Sequence, residues 1–376
     1  MAAAAVVLAW AGVACAGLPL LMTLSNLRRY RRQAAPHEPL GVADRVDVCI
    51  PARNEASNLG ACVEGVLASG GVPTRALVYD DQSTDDTPRI LADLARADPR
   101  VRPVPTRALP GGWNGKQWGC ERMGQSSDAT WLLFTDADVR LEPDAVAAAV
   151  SFARRSRSDL VSSVPRQICG TAGEMLLVPL IHFMLLGYLP MGLMRRDPRT
   201  SLAAGCGQFL LVRREMWLRS GGHAAFMASM HDGIKLPRSV RRAGGRTDLF
   251  DATPQVTCRM YRGFMQAWRG FAKNGFEGLG SVWTLLFFSG MHLVGHVLPW
   301  VLLGACVAGP VRDDRVGWLA ATAAGMGLAT RAMLAARFRQ PWLAVAFHPL
   351  SMAVSTAMQW WSLWLHLRGQ RRWKGR

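Results

Sequence analysis

The stretch TWLLFTDADVR (130–140) sets the reading of the whole chain. Trp131 to Phe134 are apolar and β-prone, and they run directly into Asp136 and Asp138. An uninterrupted apolar run of this length suits a strand buried on both faces, as in a parallel sheet. Two carboxylates one residue apart at its end repel each other unless something cationic sits with them. A buried strand that ends in paired acids predicts an α/β domain with its chemistry at the carboxyl ends of the strands, provided that neighbouring strands end in the same way.

They do. RVDVCI reads as a strand and 57–69 as a helix, ALVYDD as a strand and 85–97 as a helix. VRPVP is a short strand, followed by a helix over 115–124. TWLLFTD is then followed by a helix over 143–155 and the strand DLVSSV. Short apolar strands alternating with helices predict a mostly parallel sheet, whose ligands bind at the carboxyl ends. PARNE, DDQSTDDT and DAD fall at those ends. No GxGxxG follows the first strand, which argues against a dinucleotide-binding fold.

Half of the 376 residues are hydrophobic, and the formal charge is +17, mostly arginine. Such a balance suits an anionic partner: a membrane surface, a phosphorylated substrate or nucleic acid. The arginines cluster beside apolar segments and no nucleic-acid motif is present, so nucleic-acid binding is excluded as the reading. The eight cysteines are scattered without a CxxC pair, which fits reduced buried residues and neither zinc nor a disulfide framework.

Residues 6–24 are apolar and uncharged, close to the ~20 residues a membrane-spanning helix needs. Arg28, Arg29, Arg31 and Arg32 follow, so the positive-inside rule puts the N-terminus outside and the next domain in the cytoplasm. A cleaved signal peptide would carry its charges before the apolar run instead. The apolar stretches 283–309, 316–336 and 342–367 close the chain. Three crossings there would strand the basic tail (368–376) outside. One stretch is therefore expected to be re-entrant or interfacial, and the last, interrupted by His348-Pro349, is the candidate. The run 174–194 contains Pro179 and Pro190 and is expected to lie in the interface without crossing, with Phe183 and Leu186 docking the domain on the bilayer.

Several segments in order carry a resemblance: VCIPARNEASN, VYDDQSTDDT, LPGGWNGKQWG, FTDADV, GCGQFLLVRREMW with GGH, and RMYRGFMQAWRGFAKN. Together they resemble family 2 glycosyltransferases with the GT-A fold, in the membrane-anchored branch that includes carotenoid- and hopanoid-associated enzymes. The resemblance covers about residues 45–280, between an anchor at 1–27 and membrane helices over 281–367. It implies an inverting transfer from a nucleotide-diphosphate sugar to a lipid-like acceptor at the cytoplasmic face of a plasma or inner membrane. It also implies Mg²⁺ or Mn²⁺, with Asp138 as the main ligand beside Asp136. Hard divalent cations favour carboxylate and phosphate oxygens, which fits.

By the same resemblance Pro51, Ala52, Glu55, Asp80 and Asp81 form the nucleoside pocket, Lys116 meets the diphosphate, and Gln208 contacts the donor sugar or the acceptor. Asp232, in SMHDGIK, matches the position of the general base, although His231 replaces the usual acidic neighbour. QAWRGFAKN departs from the Q-x-x-R-W motif of processive members, which favours addition of a single sugar. Arg262, Trp268, Arg269 and Lys273 suit a diphosphate, lipid headgroups or a plain juxtamembrane basic face equally. His292 and His296, four residues apart, face one way on an apolar helix as polar lining, an acceptor contact or a metal pair. Trp360, Trp361 and Trp364 suit an interfacial aromatic belt. The alternatives are transfer to polyprenyl phosphate and a non-catalytic membrane scaffold.

Overall fold

The computed structural model describes residues 2–34, 40 and 44–370. Residues 371–376 of the basic tail lie outside that set. The chain divides into two compact units. One contains Tyr30–Arg166 and Met191–Arg259, and the other contains Met1–Arg29, Gln167–Pro190 and Met260–Arg371. Residues 167–190 and 260–280 thus group with the helical unit.

The α/β unit contains the strands β1 (Val46–Ala52), β2 (Thr74–Asp80), β3 (Val101–Pro103), β4 (Trp131–Phe134), β5 (Val139–Leu141), β6 (Leu160–Ser162), β8 (Leu210–Arg213), β9 (Thr247–Leu249) and β10 (Val256–Cys258). The pair Arg166–Gln167 forms β7. Seven strands run in the order β3-β2-β1-β4-β8-β6-β9, and β5-β10-β7 form a second, small sheet. The pairs β3/β2, β2/β1, β1/β4 and β6/β9 are parallel, while β8 is antiparallel to both its neighbours. The expected α/β class with a mostly parallel sheet is borne out. Every residue of β1 and β4 is buried, as continuous apolar strands covered on both faces require.

The helices of this unit are α2 (Leu59–Leu67), α3 (Thr87–Ala97), α4 (Gly115–Ser126), α5 (Ala145–Ser156), α8 (Met191–Met194), α9 (Arg214–Arg219) and α10 (Asp232–Arg242). Three of them, α2, α3 and α5, start two residues later than expected. Residues 143–144 are spent on a turn in which Ala145 N–H donates to the Glu142 carbonyl (3.0 Å). Asn114 caps α4 by accepting from Lys116 N–H at 2.9 Å. Two glycines on the buried face of α4 permit close packing. A Cβ on Gly124 would stand 2.6 Å from the buried Trp217 ring, and one on Gly119 would stand 2.8 Å from Tyr79.

The helical unit contains α1 (Ala2–Leu27), α6 (Ala172–Leu177), α7 (Leu180–Tyr188), α11 (Phe264–Ala272), α12 (Gly275–Leu279), α13 (Val282–His292), α14 (Leu298–Val307), α15 (Asp314–Phe338), α16 (Leu343–Ala346) and α17 (His348–Leu367). A π-helical turn, Leu293–Val297, joins α13 to α14. Among the described residues three helices are long and apolar enough to cross a membrane: Ala3–Leu27, Val282–Val307 and Asp314–Phe338. The final stretch is not among them. It breaks at Phe347, and α17 buries His348, Ser351, Ser355, Gln359 and Ser362 along one face. The run 174–194 is also broken, at Pro179 and Pro190, into α6, α7 and α8. The expectation that Phe183 and Leu186 meet lipid is wrong, because both are fully buried. Phe183 packs against Tyr188, His296 and His348. Asn26, near the end of α1, donates to the carbonyls of Leu186 (2.8 Å) and Leu189 (2.6 Å), which closes the C-terminal end of α7.

Overpacking identifies which glycines the α/β core needs. Gly124→Ala should cost about 1–3 kcal/mol and lower the unfolding midpoint. Gly60→Ala, on α2 with nothing within 4 Å of the new methyl, should be neutral or slightly stabilising. Urea unfolding of the detergent-purified chain checks both.

Candidate active site

The site residues converge because parallel strands end together. Ala52 pairs with Asp80, and Cys49 with Phe134, so the loops after β1, β2 and β4 leave from one edge of the sheet. β8 runs the other way, which brings the loop that precedes it, GCGQ, to the same edge. The Thr135 hydroxyl donates to the Gln208 carbonyl there at 2.8 Å.

The first two loops are laced together. Asp81 N–H donates to the Ala52 carbonyl (2.8 Å), Glu55 N–H to Thr87 Oγ1 (2.8 Å) and Ala56 N–H to Asp85 Oδ2 (3.1 Å). Asn54 and Gln82 hold left-handed backbone (φ 52° and 54°) at the two turns. Pro51 and Ala52 are buried at the end of β1. Asp80 accepts from the Ser83 amide and hydroxyl, so its carboxylate closes its own turn. Asp81 is buried, and the Arg53 guanidinium lies 3.5 Å from Oδ2. Arg53, beside Asp81 in these linked loops, is a residue that the sequence reading passed over.

At the centre lies Lys116, on the first turn of α4. Its Nζ is 2.6 Å from Asp136 Oδ1 and 2.9 Å from Asp232 Oδ2. Burial disfavours the ammonium, but the two carboxylates outweigh it and raise the Lys116 pKa well above its ordinary value. Burial likewise opposes the Asp232 charge, and Lys116 outweighs that, holding its pKa below the usual carboxylate range. Asp232 opens α10, and its Oδ1 accepts from Gly233 N–H at 2.8 Å. Its position depends on three glycines. A Cβ on Gly207 would stand 2.1 Å from Asp232 Oδ1, and one on Gly233 would stand 2.8 Å from both Gly205 O and Gly207 N. GCG and HDG therefore interlock backbone to backbone, a contact that neither motif reveals alone.

Asp138 has no such ammonium. Its Oδ1 is enclosed and without a hydrogen-bond partner, while the Cys258 thiol hydrogen-bonds the carboxylate. Burial, then Asp136, then Glu55 push its pKa up to about 7. An orphaned carboxylate oxygen among like charges fits a hard divalent cation. Among the described residues no group of three or more His, Cys, Asp or Glu side chains is arranged to hold a metal ion, so Asp136 and Asp138 would supply part of a shell completed by other oxygens. Gln208 turns its amide inward, with Nε2 3.1 Å from Cys258 Sγ and Oε1 3.7 Å from Cys206 Sγ.

Two further residues brace the site without having been anticipated. Glu121 on α4 accepts from His223 N–H (2.8 Å) and Ala224 N–H (3.1 Å), tying the GGH loop to the helix that carries Lys116. His223 is buried and accepts from Trp217 Nε1 at 3.1 Å, and burial lowers its pKa to about 3, so the ring is neutral.

Acid-rich strand ends gathered around one lysine mark this edge of the mostly parallel sheet as the candidate site. The comparisons place it more narrowly. Residues 47–218 match the model of glycosyl transferase family 2, so the chain carries a domain of that family. It is 25% identical over 239 residues to the 4,4'-diaponeurosporenoate glycosyltransferase of Staphylococcus haemolyticus (strain JCSC1435), covering 63% of this chain and 62% of the relative. It is 32% identical over 101 residues to the succinoglycan biosynthesis protein ExoO of Rhizobium meliloti (strain 1021), covering 26% of this chain and 27% of that protein. The chain thus spans less than two thirds of either relative. A mannosyltransferase from Pyrobaculum calidifontis, solved with GDP-Man and Mn²⁺, shares the fold with a TM-score of 0.58 at 19% identity, over 95% of this chain and 99% of that one. The GT-A fold expected from the motifs is borne out.

The raised pKa of Asp138 has a stability consequence. A carboxyl whose folded pKa lies above its unfolded value favours folding at low pH, and that contribution is lost as pH rises from about 4 to 7. Asp138→Asn should therefore raise the unfolding midpoint of metal-free protein at pH 8 relative to the unaltered chain, and do so much less at pH 5. It should also remove stabilisation by Mn²⁺. Thermal unfolding at the two pH values, with EDTA or Mn²⁺, checks the sign.

Proposed function

We propose that the chain is a membrane-bound, inverting glycosyltransferase that moves one sugar from a nucleotide-diphosphate donor to a hydroxyl of a lipid-like acceptor. The observation that carries this reading is the Lys116 ammonium held between Asp136 and Asp232. It joins the carboxylate on the donor side to the one in the position of the base. The family 2 domain and the mannosyltransferase with GDP-Man and Mn²⁺ support a nucleotide-sugar donor and a divalent ion. The relative named for the carotenoid diaponeurosporenoate supports a lipid-like acceptor.

In this reading Pro51, Ala52, Glu55 and Asp81 line the nucleoside pocket, and Arg53 beside Asp81 adds a donor to an acceptor. Asp80 and Gln208 act from behind, Asp80 by closing the DDQS turn and Gln208 by filling the space between two thiols. Asp138 and Asp136 would hold Mg²⁺ or Mn²⁺, which when bound neutralises charge on the departing diphosphate. Asp232 takes the acceptor's proton as its oxygen attacks the anomeric carbon and the bond to the diphosphate breaks. Lys116 couples these events. Paired with Lys116, Asp232 stays ionised but weakly basic. A donor diphosphate competes for the ammonium and, by drawing it away, raises the basicity of Asp232 when an acceptor can be attacked.

The three candidate spans fit this placement. With the N-terminus outside, the chain beyond α1 lies in the cytoplasm, and two further crossings return the chain to that side. The basic residues after α15 and α17 then follow the positive-inside rule.

The test uses detergent-purified protein, Mn²⁺, labelled UDP-, GDP- and dTDP-sugars and total membrane lipid. Metal-dependent label in the organic phase is expected, with Asp138→Asn abolishing it. Asp232→Asn should remove nearly all transfer to a hydroxyl. A mild loss would point to a phosphate acceptor, already anionic and without need of a base, and failure to bind any nucleotide sugar would leave a scaffold.

A further inference from the structure

Within the helical unit lies a second charged cluster of opposite sign. Arg331, on α15, is fully buried. Its Nη1 donates to two neutral acceptors, the Pro179 carbonyl (3.3 Å) and Gln340 Oε1 (3.2 Å), and its Nε has no partner. Among the described residues it makes no ion pair. Gln340 also meets His182 Nδ1 at 3.2 Å. Beside them His348 Nε2 and His296 Nδ1 are 3.1 Å apart, and Gly327 makes room for the pair, since a Cβ there would stand 2.9 Å from His296 Nδ1. All three histidines are buried, and His182 Nε2, His296 Nε2 and His348 Nδ1 lack protein partners. A buried guanidinium without a counter-ion, ringed by unsatisfied imidazole nitrogens, is costly to keep unless something anionic joins it.

The backbone at this place is irregular too. His296 lies in the π-helical turn, Pro179 at the break between α6 and α7, and His348 at the break between α16 and α17. Non-helical backbone among membrane helices is tolerated where it is enclosed by protein or lines a polar chamber, and π turns concentrate at functional sites. An ionisable side chain there is a site by default.

We propose that Arg331, with His182, His296, His348 and Gln340, binds an acidic group, carboxylate or phosphate, of a membrane-dissolved amphiphile whose separate hydroxyl serves as acceptor. This deepens the lipid-acceptor reading and rests on it. The planar guanidinium suits both oxyanions, and the imidazoles, neutral or protonated, donate to the remaining oxygens.

The full chain in phosphatidylcholine nanodiscs is titrated with palmitate or farnesyl phosphate, with farnesol as the neutral control. Native mass spectrometry reads stoichiometry, and the unfolding midpoint reads binding. The expected result is a one-to-one adduct and a raised midpoint with at least one anion, and no such response to farnesol. The anion that binds more tightly names the head group. Arg331→Gln should weaken binding about tenfold or more, and Arg331→Lys less. Should Arg331→Gln not fold, Gln340→Glu decides, because it supplies an internal counter-ion that should abolish binding while raising the midpoint of the free protein. Equal binding by farnesol, no binding by either anion, or unchanged binding by the folded variants would overturn the proposal and leave the cluster as helix packing. Donor hydrolysis with Mn²⁺, measured in parallel, tests the transferase reading separately, and Asp138→Asn should bind the anion normally.

Discussion

Repulsion among clustered carboxylates, Asp232 buried and the others partly so, is the constraint on which the site depends. Asp136, Asp138, Asp232 and Glu55 are drawn to one region because parallel strands must end at one edge and the antiparallel β8 brings its preceding loop back to it. Such a set is stable only with positive charge inside it. Lys116 supplies one unit, and supplies it to Asp136 and Asp232. Asp138 is left to a proton or an ion, as its raised pKa shows. The surrounding structure can be read as support for that arrangement: Asn114 fixes the helix start that presents Lys116, Glu121 ties the same helix to the GGH loop, and Gly205, Gly207 and Gly233 let Asp232 approach.

Much of this was legible because it is local. β1, β2 and β4 are apolar runs terminated by acids, and the spacing of helices between them fixes their parallel sense. The helix start at Gly115 follows from an Asn cap. What stayed hidden depends on contacts distant in sequence. β5, β7, β9 and β10 are two or three residues long, and no periodicity can show in so few positions. The motifs announced that Asp232 and Lys116 matter, but not that one ammonium joins Asp232 to Asp136. Asp80 and Gln208 are a different case. Both sit in motifs, yet their side chains are absorbed by a turn and by two thiols.

The apolar segments show the same division between local and distant information. Length and composition identified the segments, and prolines at 179 and 190 announced that 174–194 would not be one helix. Composition alone suggested that Phe183 and Leu186 would face lipid, since an apolar side chain looks the same whether it meets a lipid tail or another helix. Burial against Tyr188, His296 and His348 decided the matter. His292 and His296 stood out by spacing, but His182, Arg331 and His348 come from other helices, and their convergence is a property of packing.

The two clusters differ in sign, and the difference bears on what each unit can bind. In the α/β unit carboxylates outnumber the ammonium, so its electrostatics admit a cation and, once that is present, a diphosphate. In the helical unit one guanidinium stands among imidazoles, and among the described residues it makes no ion pair. A protein that needed only stability could have replaced either cluster with apolar residues of similar volume at little cost or some gain. Retaining uncancelled charge of opposite sign in both units is intelligible if each is completed by its own ligand. A transferase that takes a metal-associated donor and an acid-headed amphiphile meets that condition, because each unit then carries the charge that its ligand lacks.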